Sequence, residues 1–443
     1  MNEPYTSDEF SRVRDMLRQA KLGSYLIIPL KYERQSLRMD QVEAFGTRRQ
    51  VDTMDLTESV RELFHSGGAA QIGACYEISR DVLLHGLFGR TGEPDVHSFS
   101  VANDGADYYD FDFCTSYLYL FHTQVAFLCL GLRFPRIEAL DKICNLSNAE
   151  LQADCRCLDA SGHPLPFSLA ERVADCMEQM GLQCFFTKRS SLLLESYTYT
   201  LALVPQRFQT LECIRQVTFN LHQTSPLDRP VEDSSEEDVR YVYALKNQSL
   251  GSYRWGCCVS SQTVSYVVAD EGMDLDREMR NQARDGLPLT LIALYEKYTC
   301  LRFTQLITAV DKRQMKQLRA LKRMMLDFRA YGTVDPAIIS RWHNVKRIYQ
   351  ATVEANGVPG AIEDVNDKLN ILVEHQREIE SARNDTVSWV LTLFGIVSIL
   401  ASILSIIQIL SGGNPLEWFV TIMSSLLIAL LVAIVVILRR KDK

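Results

Sequence analysis

Between Val387 and Leu438 the chain runs for 52 residues with a single formally charged side chain, Glu417. At the 23% charged composition of the whole chain, a window of that length would hold roughly twelve. An apolar stretch this long does not fit the interior of an ordinary domain, so a membrane segment is expected rather than a wholly soluble chain. The near-zero mean hydropathy hides this by averaging two solvents. The residues ahead of the window suffice for one large or two moderate domains with a real core.

The window divides at Ser411-Gly-Gly-Asn-Pro415. Residues 387–410 make a first transmembrane helix and residues 419–438 a second, joined by an outer loop, 411–418. So short a loop makes the two spans antiparallel. Arg439, Arg440, Lys441 and Lys443 form a basic tail at 439–443, whereas the loop has no Lys or Arg, so both termini are expected in the cytoplasm of a multi-pass protein of the cell (inner) membrane. Asn414 is a good N-cap, Pro415 suits the first helical position and Glu417 completes a capping box. Gly412 and Gly413 can end the first span. The same carboxylate, at the outer mouth of a hairpin, is also placed to concentrate cations.

Small or polar residues recur along the first span at Ser388, Thr392, Gly395, Ser398, Ser402 and Ser405, close to the 3.5-residue repeat of a left-handed bundle. They form one stripe, which fits either a pore wall or close packing between helices. Two helices enclose no hole, so a pore requires a homo-oligomer with one first span from each subunit around its axis.

Upstream, Gly357-Val-Pro-Gly360 reads as a breaker, and no Pro or Gly follows from Ala361 until Gly395. A helix from about Ala361 through the first span is therefore expected, part of a long helical stalk region at 287–386. A second helical stretch, Leu289 to Tyr331, has a basic middle that includes Arg319 and Arg323. It reads as a solvated face or, less often, as a binder of anionic groups. Residues 1–286 mix the two periods. Ser24 to Lys31 reads as a strand, Tyr117 to Phe134 as a hairpin about His122-Thr-Gln124, and Ser168 to Met180 as a helix with a capping box at Ser168 and Glu171. Phe208 to Leu221 reads as another helix, and Tyr241 to Asp270 as strands. The expected fold class is an α/β cytosolic domain, then long stalk helices, then a C-terminal two-helix transmembrane hairpin.

No nucleotide-binding, zincin or nucleophile-elbow motif occurs, so the chain reads as a non-enzyme. The twelve cysteines include no C-x-x-C pair and read as reduced, buried thiols. The polar, acidic start has no apolar core of a secretory signal, which places the soluble part in the cytosol as an expectation. Asp110-Phe-Asp112 sets two carboxylates on one strand face, and Glu232 to Asp238 is an acidic run; either can hold a hydrated divalent ion weakly, although solvated residues are the simpler reading.

This layout resembles the CorA-type divalent metal ion transporters. The local likeness lies in Asn384, Val390-Leu-Thr392 and the loop Gly412-Gly413-Asn414, at the distance where that family carries a Gly-Met-Asn signature. It covers residues 287–443. Gly413 stands where the family has Met, and Pro415 where it commonly has an aromatic residue. The resemblance implies a homo-oligomer, a pentamer in the family, that passes Mg²⁺ or a similar divalent ion through an axial pore. Gly412, Gly413, Asn414 and Glu417 would then meet the ion. Asn384, Ser388, Thr392, Gly395, Ser398, Ser402 and Ser405 would line its path. Regulatory Mg²⁺ between cytosolic domains is part of the same implication, with Asp110 and Asp112 as its assigned ligands here; no organic cofactor and no direct nucleic-acid binding are expected. One alternative keeps the fold but makes the chain a CorA-like membrane effector of a type III CRISPR defence system, gated by a nucleotide messenger that Arg319 or Arg323 would receive. Another is a non-conducting, membrane-anchored sensor or scaffold.

Overall fold

The computed structural model describes residues 8–51, 55–65, 71–89, 96–102, 107–144, 155–185, 196–230, 239–244, 251–269, 272, 274–309 and 315–410. Its helices are α1 (Asp8–Leu17), α2 (Met39–Phe45), α3 (Glu58–Glu62), α4 (Arg80–Phe88), α5 (Ile137–Cys144), α6 (Leu169–Gln179), α7 (Leu211–His222), α8 (Leu275–Arg284), α9 (Gly286–Ala309), α10 (Met315–Asp327), α11 (His343–Ala355) and α12 (Val358–Leu410). The strands are β1 (Lys21–Tyr32), β2 (Thr47–Arg49), β3 (Gly73–Ile78), β4 (Val96–Ala102), β5 (Tyr108–Phe121), β6 (Val125–Phe134), β7 (Cys155–Asp159), β8 (Pro164–Phe167), β9 (Leu182–Cys184), β10 (Tyr197–Val204), β11 (Arg240–Tyr243), β12 (Trp255–Val259) and β13 (Thr263–Ala269). Two compact units result, Met1–Asp367 and Lys368–Lys443.

The first unit is built on one mixed sheet in the order β11-β12-β13-β10-β1-β6-β5-β4-β7-β8, with β3 on β5, β2 on β3 and β9 on β1. Its pairings are antiparallel except that β10 runs parallel to β13. The hairpin of β5 and β6 turns at His122-Thr-Gln124, where Gln124 takes a positive φ of 67°. One sheet face carries Leu26, Ile28, Leu30, Leu128, Leu130 and Leu132, buried against Phe10 of α1, Leu83 of α4, Leu140 of α5, Val173 of α6 and Ile214 of α7. The opposite face is aromatic. Tyr25 donates to the Met279 carbonyl of α8 at 3.1 Å, Phe121 stacks on Tyr295 of α9 at 4.3 Å between centroids, and Phe127 meets Tyr298 edge-on at 5.7 Å. Helices on both faces explain why β10 is buried at every position although its sequence alternates Tyr with Thr. Thr200 is accommodated by the Ser24 hydroxyl at 3.2 Å.

The capping box at α6 forms as expected, with the Ser168 hydroxyl accepting from the Glu171 amide. All twelve cysteines are free thiols, buried or half-buried.

The stalk expected from residue 287 begins differently. α9 is buried along its length from Leu287 to Phe303 and belongs to the first unit. A helix apolar on all sides is a core element, and its sequence pattern does not separate it from a stalk or a span. Two of its charged groups are bonded to residues outside the helix: the Glu296 carboxylate accepts from the Val334 amide at 3.0 Å and from the Tyr349 hydroxyl of α11 at 2.8 Å, and Lys297 donates to Asn356 at 3.2 Å. The stretch to Tyr331 comprises α9, α10 and a π-helical turn, Phe328–Gly332, with residues 310–314 outside the described set. The breaker after α11 is also shorter than its sequence suggests. Gly357, at φ +62°, makes the break, and α12 starts at once with Pro359 in its first turn, where a missing N–H costs no helical hydrogen bond.

Candidate functional site

α12 contains the one candidate membrane span among the described residues, Asn384–Ile407, 24 residues of mean hydropathy 2.6 with none of that apolar window buried. At about 1.5 Å per residue this is about 36 Å, enough for a hydrocarbon core of about 30 Å. Trp389, Leu391 and Ile399 are 71%, 67% and 62% exposed, and Phe394, Ile396, Ile403 and Ile406 are exposed as well. Leaving such side chains in water forfeits about 1.5–3 kcal/mol each relative to burial. By length and composition this segment fits a bilayer.

The stripe residues Ser388, Thr392, Gly395, Ser398, Ser402 and Ser405 are all exposed. Their hydroxyls turn inward on their own helix: Thr392 donates to the Ser388 carbonyl at 2.8 Å, Ser402 to the Ser398 carbonyl at 2.8 Å and Ser405 to the Ala401 carbonyl at 3.0 Å. Such bonds satisfy a donor without water and leave each oxygen able to accept. A Cβ placed on Gly395 would meet nothing within 4 Å outside its own helical turn, so no contact among the described residues requires a glycine there. Asn384 is exposed where the apolar segment begins. The loop residues Gly412, Gly413, Asn414 and Glu417, the second span, the basic tail and the acidic run at 232–238 lie outside the described residues.

The two carboxylates assigned to regulatory Mg²⁺ have different surroundings. Asp112 on β5 receives Arg80 at 2.8 and 3.2 Å and Arg133 at 3.3 Å, while Arg133 also grips Asp276 of α8 at 2.9 and 3.0 Å. That carboxylate therefore ties strands to helices, with two guanidinium groups where a cation would sit. Asp110 is exposed and pairs in register with Ser100 of β4. No group of three or more metal-ligating side chains occurs among the described residues. Arg319 and Arg323 are exposed on α10, one turn apart, opposite the buried Leu318, Leu321 and Met325.

One site escaped the sequence reading. A cleft of about 580 Å³ in the first unit is lined by Asp55, Arg207, Arg254, Trp255, Glu278 and Asp285, with residues of α8, α9 and α11. These positions are scattered over more than two hundred residues, and only the adjacent Arg254-Trp255 pair offered a local signal.

No family model matches the chain, and no curated protein matches it. Its chemistry is therefore read from the geometry.

Proposed function

We propose that the chain forms a homo-oligomeric membrane channel or transporter of the CorA type, passing Mg²⁺ or a similar divalent ion down its electrochemical gradient. The observation that carries this reading is the unburied apolar segment of α12 with its hydroxyl stripe. Copies of α12 arranged around an axis would set the stripe inward and the Leu, Ile and Phe side chains toward lipid. Hydroxyl oxygens whose protons are committed to the helix offer acceptor lone pairs, which suits a hard, hydrated cation. Asn414 and Glu417 would meet the ion at the outer end, Asn384 at the inner end, and the α/β unit would lie in the cytoplasm and gate. Gly395, where a Cβ would meet no described neighbour, would gain a reason in the close approach of a neighbouring copy.

The intrahelical hydroxyl bonds also favour a second reading, a non-conducting anchor in which the stripe only packs helices. Flux separates the two. Purified full-length chain in liposomes is expected to pass Mg²⁺ or Ni²⁺, and Ser398→Leu or Asn414→Ala to reduce that flux at least tenfold. Membrane-inserted protein that passes neither divalent ion nor K⁺ would sink the channel reading and leave the anchor.

A further inference from the structure

The cleft of the first unit lies among α8, α9, α11 and the sheet, apart from the apolar segment of α12. Its volume of about 580 Å³ falls in the range of small-molecule sites, roughly 300–1,000 Å³. The walls come from the β12–β13 end of the sheet, from α8 and the start of α9, and from the first turns of α11. Trp255, Val268, Leu289 and Ile348 supply apolar surface.

Most of its polar groups are occupied. The Asn281 and Gln282 amides donate to the two oxygens of Glu278 at 3.2 and 2.9 Å, and the Tyr199 hydroxyl donates to Gln282 at 2.5 Å. Asp285 accepts from the Asp55 backbone amide at 3.2 Å and from Arg284 at 3.3 Å. Two charged lining groups are left with no hydrogen bond or ion pair among the described residues, the Asp55 carboxylate and the Arg207 guanidinium. Each is half-buried and fixed by its backbone. Asp55 precedes the bridge between Leu56 and Ser340, and its carbonyl accepts from the Ser340 hydroxyl. Arg207 precedes the bridge between Phe208 and Tyr253, closed by backbone bonds of 3.2 and 2.7 Å, which brings it beside Ser252 and Arg254.

The cleft thus has one end with Asp55 and Asp285, where Arg284 pairs with Asp285 at 3.3 Å, and a guanidinium end, Arg207 with Arg254, contributed by different parts of the chain. Burial first, and then the charge of Asp285, push the Asp55 carboxyl above its ordinary range, opposed by the nearby Arg284 and Arg341. Three arginines and three carboxylates line the space, so its formal charge is zero. A polyphosphate would carry uncompensated negative charge into it. An ammonium for the acidic end, a carboxylate for the basic end and an apolar body between them leave none.

We propose that this cleft binds a zwitterion of the amino-acid class, an α-amino acid with a large side chain or a short peptide. Arg207, with Arg254, would take the carboxylate in fork geometry, and Asp55, with Asp285, the ammonium. The occupant would touch α8, α9 and α11 together and tie α11 to the sheet.

The test is thermal unfolding of the full-length chain in detergent with each of the twenty free amino acids, and separately with ATP. At least one amino acid with a large side chain is expected to raise the midpoint saturably. Arg207→Gln and Asp55→Asn should each weaken that binding by about tenfold or more, whereas Arg323→Gln on α10 should leave it unchanged. Should a variant fold poorly, the same two ends are probed on the unaltered chain with the ligand's decarboxylated amine and its deaminated acid, both expected to bind about tenfold or more weakly. No shift from any amino acid, a shift with ATP alone, or equal binding of the truncated analogues would overturn the proposal.

Discussion

Two helical segments of this chain, 24 residues each, are too apolar for water, and they resolve that in different ways. α9 is covered by protein, lying on the aromatic face of the sheet with Leu291, Ile292 and Leu294 inaccessible. The apolar window of α12 has none of its residues buried. Part of their polar chemistry differs in the same sense, although Thr290, Thr304 and Thr308 of α9 also bond carbonyls of their own helix. In α9 the Thr299 hydroxyl pairs with Thr123 at 2.9 Å and Arg302 reaches Gln124 at 3.1 Å and Glu33, all on other elements. In α12 the hydroxyls bond to their own backbone. Hydropathy says that a helix leaves water; the burial of its side chains says what replaces the water.

The sharpest way to break this contrast is to place a charge in each helix. Ile292→Asp in α9 is expected to cost more than about 4 kcal/mol and abolish cooperative folding of the first unit, because no partner awaits a buried carboxylate there. Ile399→Asp in α12 should leave the melting of that unit unchanged and weaken membrane association. Circular dichroism melts and flotation read the two outcomes. If Ile399→Asp unfolds the first unit, α12 is a core helix like α9.

A milder pair uses leucines. Leu291→Ala should cost about 2–5 kcal/mol through the cavity it leaves, whereas Leu391→Ala, at a site 67% exposed, should stay within about 0.5 kcal/mol in the same denaturation measurement.

The buried carboxyl of α9 adds a pH dependence to the stability of the first unit. Burial raises Glu296 from 4.5 to about 7, opposed by the bonds from Val334 and Tyr349. The folded state therefore holds this proton to a higher pH than the unfolded state, so its contribution is complete below about pH 4.5 and is lost as pH rises through about 7. Glu296→Gln stays neutral and keeps the acceptor. It should match the wild type near pH 4.5 and exceed it above pH 8, by on the order of 3 kcal/mol. A constant difference across pH would contradict this assignment.

Much of the fold was legible where the chemistry is local. The turn at His122-Thr-Gln124, the Ser168 cap and an unbroken α12 follow from neighbouring residues. What stayed hidden depends on distant partners. α9 is apolar on every side, a pattern shared by core helices and spans, so its sequence did not separate it from the stalk. Asp112 reads as a spare carboxylate until Arg80 and Arg133 fold onto it, and the cleft joins Asp55, Arg207 and Asp285 only through β-bridges and the α8–α9 junction.

The smallest expected effect concerns Gly395. Ala there meets no described atom outside its own helical turn and gains about 1 kcal/mol of helix propensity. If copies pack along the stripe, Gly395→Ala nonetheless reduces the oligomer mass measured by light scattering in detergent. An unchanged mass would remove the stripe from the interface.

The central claim, that lipid covers α12 as protein covers α9, is tested most directly by flotation of the full-length chain with liposomes after an alkaline carbonate wash. The account predicts that the chain rises with the lipid. Recovery of folded protein in the dense aqueous fractions would contradict it.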